Sequence, residues 1–304
     1  MIPLEESFKY CEKIVKNHYE NFPVGSFLLP KEKRRYIWAL YAYARAADDF
    51  ADEGRNPNES EKEITFRLNQ LDEWECKLEG CQRSQSDHPI FIALQETIRQ
   101  CGIPLQLLKD LLTAYRMDVQ KKRYTNFEEV LTYCRYSANP VGRLVLHTFG
   151  YNDETLFQQS DSICTALQLT NFWQDIKIDL EKDRIYLPQD EMKKWGVTEE
   201  DLHREEVTTA FQSLVRAQAE KTAQIFNLGL PLTSCVGKDL KLEMRLTWLG
   251  GTTILRKTIQ NRYDVFKNRP ILTFKDKVTL LFQALLPLQI KVLNHGCLFK
   301  NNSN

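Results

Sequence analysis

The sequence has few residues that interrupt helices, with 12 glycines and 11 prolines among 304 residues. Helix-favouring residues such as Leu, Ala, Glu, Lys, Gln and Arg are common instead. No segment rich in Pro, Gly or Ser divides the helical periodicity, so a second domain is not indicated. The pattern predicts an all-α protein with a single domain over residues 1–304.

The chain also lacks an excess of either charge, since acidic and basic residues number 41 each. Such a balance excludes the uniform positive field that nucleic acid or strong nonspecific adsorption to anionic lipid would require. The eight cysteines include no Cys-x-x-Cys pair, which favours reduced thiols and a cytoplasmic protein. The oligomeric state is left open by these features.

Long apolar runs are missing as well. The first residues show no basic segment followed by an apolar run, which argues against a signal peptide. No apolar stretch reaches the roughly 20 residues that cross a bilayer. The longest, residues 278–288, is flanked by Lys275, Lys277 and Lys291. It can contact the inner face of a membrane, although packing on the core as a C-terminal helix is the more frequent arrangement.

Two polar strips stand out against this background, and the second of them in chain order occupies residues 168–179, QLTNFWQDIKID. At about 100° per residue, Gln168, Asn171, Asp175 and Asp179 fit within an arc of roughly 80° on one helix. Bulky apolar residues fill the positions between them. We therefore expect this strip to line an interior cavity.

The first strip in chain order occupies residues 41–52, YAYARAADDFAD. Here Tyr41, Arg45, Asp48 and Asp52 share a helix face of about 60°. Clustered carboxylates repel one another and are costly to desolvate, so the two strips together indicate a bound cation. Oxygen ligands without clustered His or Cys favour Mg²⁺, which is commonly shared with substrate phosphates. The predicted substrate is a diphosphate or a similar polyphosphate, and the predicted metal ligands are Asp48, Asp52, Asn171, Asp175 and Asp179.

These motifs resemble the squalene/phytoene synthase family of trans-isoprenyl diphosphate synthases. The resemblance rests on residues 41–53, on residues 133–142 (YCRYSANPVG), and on residues 168–188, which end in DRIYLP. They occur in the family's order and spacing, so the likeness covers nearly the whole chain. Residues 21–30, 137–143 and 171–175 look most like the bacterial hydroxysqualene synthases of hopanoid biosynthesis.

The resemblance implies further roles in substrate binding. His18 and Asn21 would contact the diphosphate, although a lone histidine at a helix end is more often structural. Arg45 would also bind the diphosphate; the alternative is a local ion pair with Asp48. Tyr133, Ser137 and Val141, on one face of a helix kinked at Pro140, would line the cavity. The other residues implied to bind substrate are Tyr41, Gln168, Arg184, Tyr186 and Gly251.

The implied reaction is the Mg²⁺-dependent ionisation of presqualene diphosphate, followed by water capture to give hydroxysqualene. Gln174 stands where many relatives have Arg, so a neutral polar group could replace a diphosphate contact there. Gly251 stands where an aromatic residue is common, which could leave room for a water. Together they would form a polar, roomy corner in which Gln174 or Asn171 orients that water through an amide hydrogen bond. Gly250 and Gly251 could instead allow close helix packing. Two other functions stay open: head-to-head condensation of prenyl diphosphates, giving presqualene diphosphate, squalene, dehydrosqualene or phytoene, and a non-catalytic assembly role.

Overall fold

The computed structural model describes residues 2–17, 29–54, 59–81 and 86–286. It is 77% helical, and an isolated bridge between Arg123 and Ile185 is the only strand-like pairing among those residues. The predicted all-α class is therefore confirmed.

The described residues form helices in this order: α1 Leu4–Asn17, α2 Lys31–Asp52, α3 Glu61–Gly80, α4 Pro89–Cys101, α5 Leu105–Gln120, α6 Phe127–Ser137, α7 Asn139–Thr148, α8 Glu154–Gln174, α9 Ile176–Glu181, α10 Gln189–Trp195, α11 Glu199–His203, α12 Thr209–Gly229, α13 Leu232–Cys235, α14 Lys238–Gln260 and α15 Phe274–Leu285.

The helices belong to two compact units. The first unit comprises Met1–Lys121 and Tyr136–Phe157, and the second comprises Lys122–Arg135 and Gln158–Asn304. The division passes through α6 and α8. That the whole chain acts as one domain stays a prediction.

An aromatic cluster fixes α2 within the first unit. Tyr43 is fully buried, stacks on Trp74 of α3 with ring centroids 6.1 Å apart, and meets Phe91 of α4 edge to face. Its hydroxyl donates to the carbonyl of Leu108 on α5, at 3.2 Å. Because α2 is held on this side by three helices, its polar strip is left half-buried and accessible.

The helix is interrupted beside Pro140, where a kink is predicted. The helix ends at Ser137, Ala138 takes φ −109° and ψ −45°, and α7 begins at Asn139 with the proline in its first turn. A proline is tolerated there because the first-turn N–H groups have no partner within the helix. Tyr133 and Ser137 therefore lie on α6 and Val141 on α7, and their lining of a common cavity stays a prediction.

The second unit is built around close contacts of α8, α12 and α14. The indole of Trp173 donates to the hydroxyl of Thr222 on α12, at 2.9 Å, and both residues are fully buried. The indole of Trp248 on α14 donates to the carbonyl of Phe226 on α12, at 3.0 Å. These two bonds satisfy polar atoms that would be costly to bury unpaired.

Candidate active site

The first polar strip lies on α2 as predicted. Tyr41, Arg45, Asp48 and Asp52 are all half-buried. Arg45 contacts the Asp48 carboxylate at 3.4 Å and forms a shorter ion pair with Asp49. Burial disfavours the charged guanidinium, but Asp49 and Asp48 outweigh it and raise the pKa of Arg45. The local ion pair with Asp48 is confirmed, and Asp49 adds a contact that the strip did not include.

The second polar strip is not carried by one continuous helix. Helix α8 ends at Gln174, and Asp175 takes φ −109° and ψ 18° before α9 begins at Ile176. Hydrogen bonds from the Asp175 N–H to the carbonyl of Asn171 and from the Asp179 N–H to the carbonyl of Asp175 preserve the helical spacing. The prediction of an uninterrupted helix is wrong, although the i to i−4 order of the strip is kept.

The end of α8 binds the segment that follows α14. The Asp175 carboxylate accepts from Arg269 Nε at 2.5 Å and from Nη2 at 3.2 Å. The buried Gln174 donates its amide N–H to the carbonyl of Pro270. Gln174 and Asp175 thus form hydrogen bonds with Pro270 and Arg269, respectively, and we call this pair of contacts the 174/269 clasp. Its pairing of Gln174 with a backbone carbonyl differs from the predicted contact with water.

Four aromatic rings meet beside the second strip. Tyr186 stacks on Phe172 with ring centroids 3.7 Å apart and an interplanar angle of 8°. It also stacks on Tyr124, while Tyr133 tilts against both Phe172 and Tyr186. All four rings are buried. The predicted site residues Tyr133 and Tyr186 are thus brought together, and Tyr124 is an addition to the predicted set.

The segment that carries Tyr186 is firmly tied to residues 122–125. The N–H of Ile185 donates to the carbonyl of Lys122, and that of Gln189 donates to the carbonyl of Tyr124, both at 2.9 Å. Arg123 forms ion pairs with Asp183 and Glu199. Arg184 is consequently only 6% exposed.

A small cleft joins several predicted site residues. Asp179, Arg184 and Tyr186 line it together with Phe172 and Ile176. The backbone N–H of Arg184 donates to the carbonyl of Asp179 at 2.8 Å. The end of the second strip and the loop after α9 are therefore packed against each other.

Gly251 does not provide spare room. A β-carbon there would lie 2.5 Å from Leu167 Cδ2 and 2.7 Å from Phe226 Cζ, so neighbouring side chains already fill the position. The prediction of a roomy corner at Gly251 is wrong, and the alternative of close helix packing agrees with the contacts. Val141 on α7 is 38% exposed. His18 and Asn21 lie outside the described residues.

The predicted metal ligands fit Mg²⁺ in chemistry. They supply only oxygen donors, Asp48, Asp52, Asp175 and Asp179 are half-buried, and Asn171 is exposed, so hydrated Mg²⁺ could reach them. Within the described ranges, no group of three or more His, Cys, Asp or Glu side chains is arranged to hold a metal ion. The joint ligand set stays a prediction.

Comparisons with known proteins agree with this architecture. The family model for squalene/phytoene synthase matches residues 15–276. A hydroxysqualene synthase from Rhodopseudomonas palustris is 36% identical over 229 residues, which cover 75% of each chain. A chloroplastic phytoene synthase from an Oncidium hybrid cultivar is 31% identical over 73% of this chain, which spans 54% of that relative. The squalene synthase HpnC from Alicyclobacillus acidocaldarius has a TM-score of 0.79 and 34% identity, covering 86% of this chain and 97% of its own.

The chain belongs to the squalene/phytoene synthase family. It is therefore an enzyme of a family that acts on prenyl diphosphates and normally uses divalent metal ions. In the part of the chain that the structure describes, every helix is too short or too polar to cross a membrane.

Proposed function

We propose that this chain is a hydroxysqualene synthase, a Mg²⁺-dependent enzyme that ionises presqualene diphosphate and adds water to the rearranged cation. The observation that carries the proposal is the 36% identity to a hydroxysqualene synthase over three quarters of both chains. The polar strips on α2 and α8–α9 supply residues suited to a diphosphate. The proposed products are hydroxysqualene and diphosphate.

The charged residues would control departure of the diphosphate. Asp48 and Asp52, with Asn171, Asp175 and Asp179, would hold Mg²⁺, which when bound supplies positive charge to the leaving group. Arg45 would donate hydrogen bonds to diphosphate oxygens, since a guanidinium matches their geometry with two parallel donors. The breaking C–O bond leaves its electron pair on the diphosphate.

The buried rings suit the cationic intermediate. Tyr124, Tyr133, Phe172 and Tyr186 offer aromatic faces, which attract positive charge, and carbon surfaces that do not attack it. Water then forms the new C–O bond and releases one proton to the surrounding solvent or diphosphate. Because the Gln174 amide N–H is bonded to Pro270, Asn171 is the strip's better candidate to orient that water.

The decisive experiment supplies the purified chain separately with presqualene, farnesyl and geranylgeranyl diphosphates plus Mg²⁺, and identifies each lipid product. We expect hydroxysqualene from presqualene diphosphate. Phytoene from geranylgeranyl diphosphate would favour the second candidate, condensation, which the similarity to phytoene synthases supports. Absence of diphosphate release from all three substrates would favour a non-catalytic protein.

Two single variants test the assigned metal ligands. Asp175→Asn and Asp48→Asn should each abolish turnover while helical content is kept, because loss of a metal-site charge costs several kcal/mol in the barrier, on the order of a thousandfold or more in rate. Asp239→Asn is a matched control, since Asp239 is an exposed residue in the first turn of α14. Near-normal rates in both strip variants at saturating Mg²⁺ would contradict the metal assignment.

A further inference from the structure

Helix α15 carries an exposed apolar face. Phe274 is 83% exposed, Phe282 is 65% exposed and Leu285 is 62% exposed, and Val278 and Leu281 are also exposed. At about 100° per residue, these five side chains fall within an arc of roughly 100°. Contiguous apolar surface of this kind commonly marks an interaction site rather than ordinary protein surface.

The helix is already anchored through its other side. Leu280 and Ala284 are buried, and Arg245 of α14 donates to the carbonyl of Ala284 at 2.9 Å. Asp276 completes a capping box with Thr273 and forms a 2.5 Å ion pair with Lys257. These contacts fix the orientation of α15, so its apolar face does not need further packing within the second unit to be held in place.

Positive charges border the apolar face on both sides. Lys277 lies about 40° beyond Leu281 on the helical wheel, and Lys275 lies about 20° beyond Phe282. Both lysines are exposed. The helix's single acidic residue, Asp276, is paired with Lys257, so the border of the face is positive.

We propose that α15 lies on the surface of a membrane that contains anionic lipid. The apolar side chains would enter the boundary between headgroups and acyl chains, while the two lysines reach the phosphates of the headgroups. A second copy of the chain fits less well, because a two-fold interface through this face would bring the same lysine-bordered surfaces together. The proposal rests on the described contacts of α15 and is independent of which reaction the enzyme catalyses.

The test is co-sedimentation of the full chain with vesicles of phosphatidylcholine, with and without phosphatidylglycerol. We expect binding to the vesicles that contain phosphatidylglycerol. The double variant Phe274→Ser, Phe282→Ser should bind at least about a hundredfold more weakly, because burying each large apolar side chain contributes on the order of 1.5–3 kcal/mol and the variant removes two. The variant Lys275→Gln, Lys277→Gln should lose roughly fivefold per lysine on anionic vesicles, since each contributes about 1 kcal/mol near such a surface.

Matched controls remove exposed apolar side chains elsewhere. Phe66 on α3 is 62% exposed and Leu228 on α12 is 67% exposed, and Phe66→Ser and Leu228→Ser should bind vesicles like the wild type. Equal loss in these controls would contradict a role specific to α15. Failure of the wild type to bind either vesicle would overturn the proposal. The proposal would also be overturned if light scattering detected a wild-type dimer that the double variant Phe274→Ser, Phe282→Ser converts to a monomer. Circular dichroism and diphosphate release in solution would separate these outcomes from misfolding and from failure of the proposed reaction.

Discussion

Arg269 engages both carboxylate oxygens of Asp175, at 2.5 Å from Nε to Oδ1 and 3.2 Å from Nη2 to Oδ2. The carboxylate that would serve as a metal ligand is therefore also the acceptor of a two-bond ion pair. The Arg269 side chain is 44% exposed and that of Asp175 is 24% exposed. Ion pairs with this much solvent contact contribute only about 0–1 kcal/mol, which a bound divalent ion can readily offset.

We expect Arg269→Met to bind Mn²⁺, used as a probe for Mg²⁺, up to about fivefold more tightly, because the competing ion pair of about 1 kcal/mol is lost. Electron paramagnetic resonance of the substrate-free protein measures the free ion directly. Arg99→Met is a suitable control, since Arg99 forms an exposed ion pair with Glu96 on α4. Weaker binding in Arg269→Met would show instead that the arginine orients Asp175 for the metal.

Arg45 provides a second prediction, because its guanidinium bridges the carboxylates of Asp48 and Asp49. Arg45→Lys keeps the charge but loses the planar pair of donors. Hydrogen bonds to charged groups contribute about 1.5–3 kcal/mol, so the KM for presqualene diphosphate should rise roughly tenfold or more. A purely local role for the arginine predicts an unchanged KM.

The chain contains a matched control for that substitution. Arg116 on α5 likewise bridges two carboxylates, those of Asp72 and Glu75 on α3, but it lies outside the polar strips. Arg116→Lys should leave the KM unchanged. A similar rise in both variants would mean that the substitution acts through the stability of the first unit rather than through the diphosphate.

The adjacent glycines of α14 give a third prediction, about stability. Gly251→Ala should destabilise the protein by about 1–3 kcal/mol, since a new methyl group would overlap Leu167 and Phe226. At Gly250 a β-carbon would meet only Leu272 Cδ1, at an ordinary 3.6 Å. Gly250→Ala should therefore be neutral or stabilise by up to about 1 kcal/mol through helix propensity. Urea unfolding of the two variants measures the difference, and equal effects would contradict the packing role of Gly251.

Local periodicity was sufficient to predict the helical class and the strip on α2, because side-chain direction within one helix depends on nearby residues. It could not predict the break at Asp175 or the 174/269 clasp, whose partners are about 95 residues apart and are fixed by tertiary packing. An arginine followed by a proline is a signal for extended backbone, but it does not identify the acidic partner. The sequence likewise could not decide whether Gly251 leaves room for water or allows close helix packing. Its packing partners Leu167 and Phe226 are distant in sequence and are brought to it by tertiary packing.

Asp183 leads to a prediction about pH. The residue adopts a left-handed conformation, with φ 56°, and accepts hydrogen bonds from Lys122 at 2.7 Å and Arg123 at 2.8 Å. Burial raises the pKa of this carboxyl, but the hydrogen bonds and charges of Lys122 and Arg123 outweigh burial and lower it overall. Because the folded-state pKa is lowered, the stabilisation is fully present above the unfolded value of about 3.9. It is lost as the pH falls through the lowered folded-state value.

The variant Asp183→Asn isolates this contribution, because asparagine also tolerates a positive φ and removes the charge without straining the backbone. At neutral pH the variant should have a smaller free energy of unfolding than the wild type. The difference in free energy of unfolding between wild type and variant should stay constant down to about pH 5 and narrow as the pH falls below about 4. Urea unfolding across this range measures it, with the exposed Asp239→Asn as the control. If the difference in free energy of unfolding persisted unchanged under the most acidic conditions, the side chain would act through its shape. Its ion pairs with Lys122 and Arg123 would then not hold the segment carrying Arg184 and Tyr186 in place.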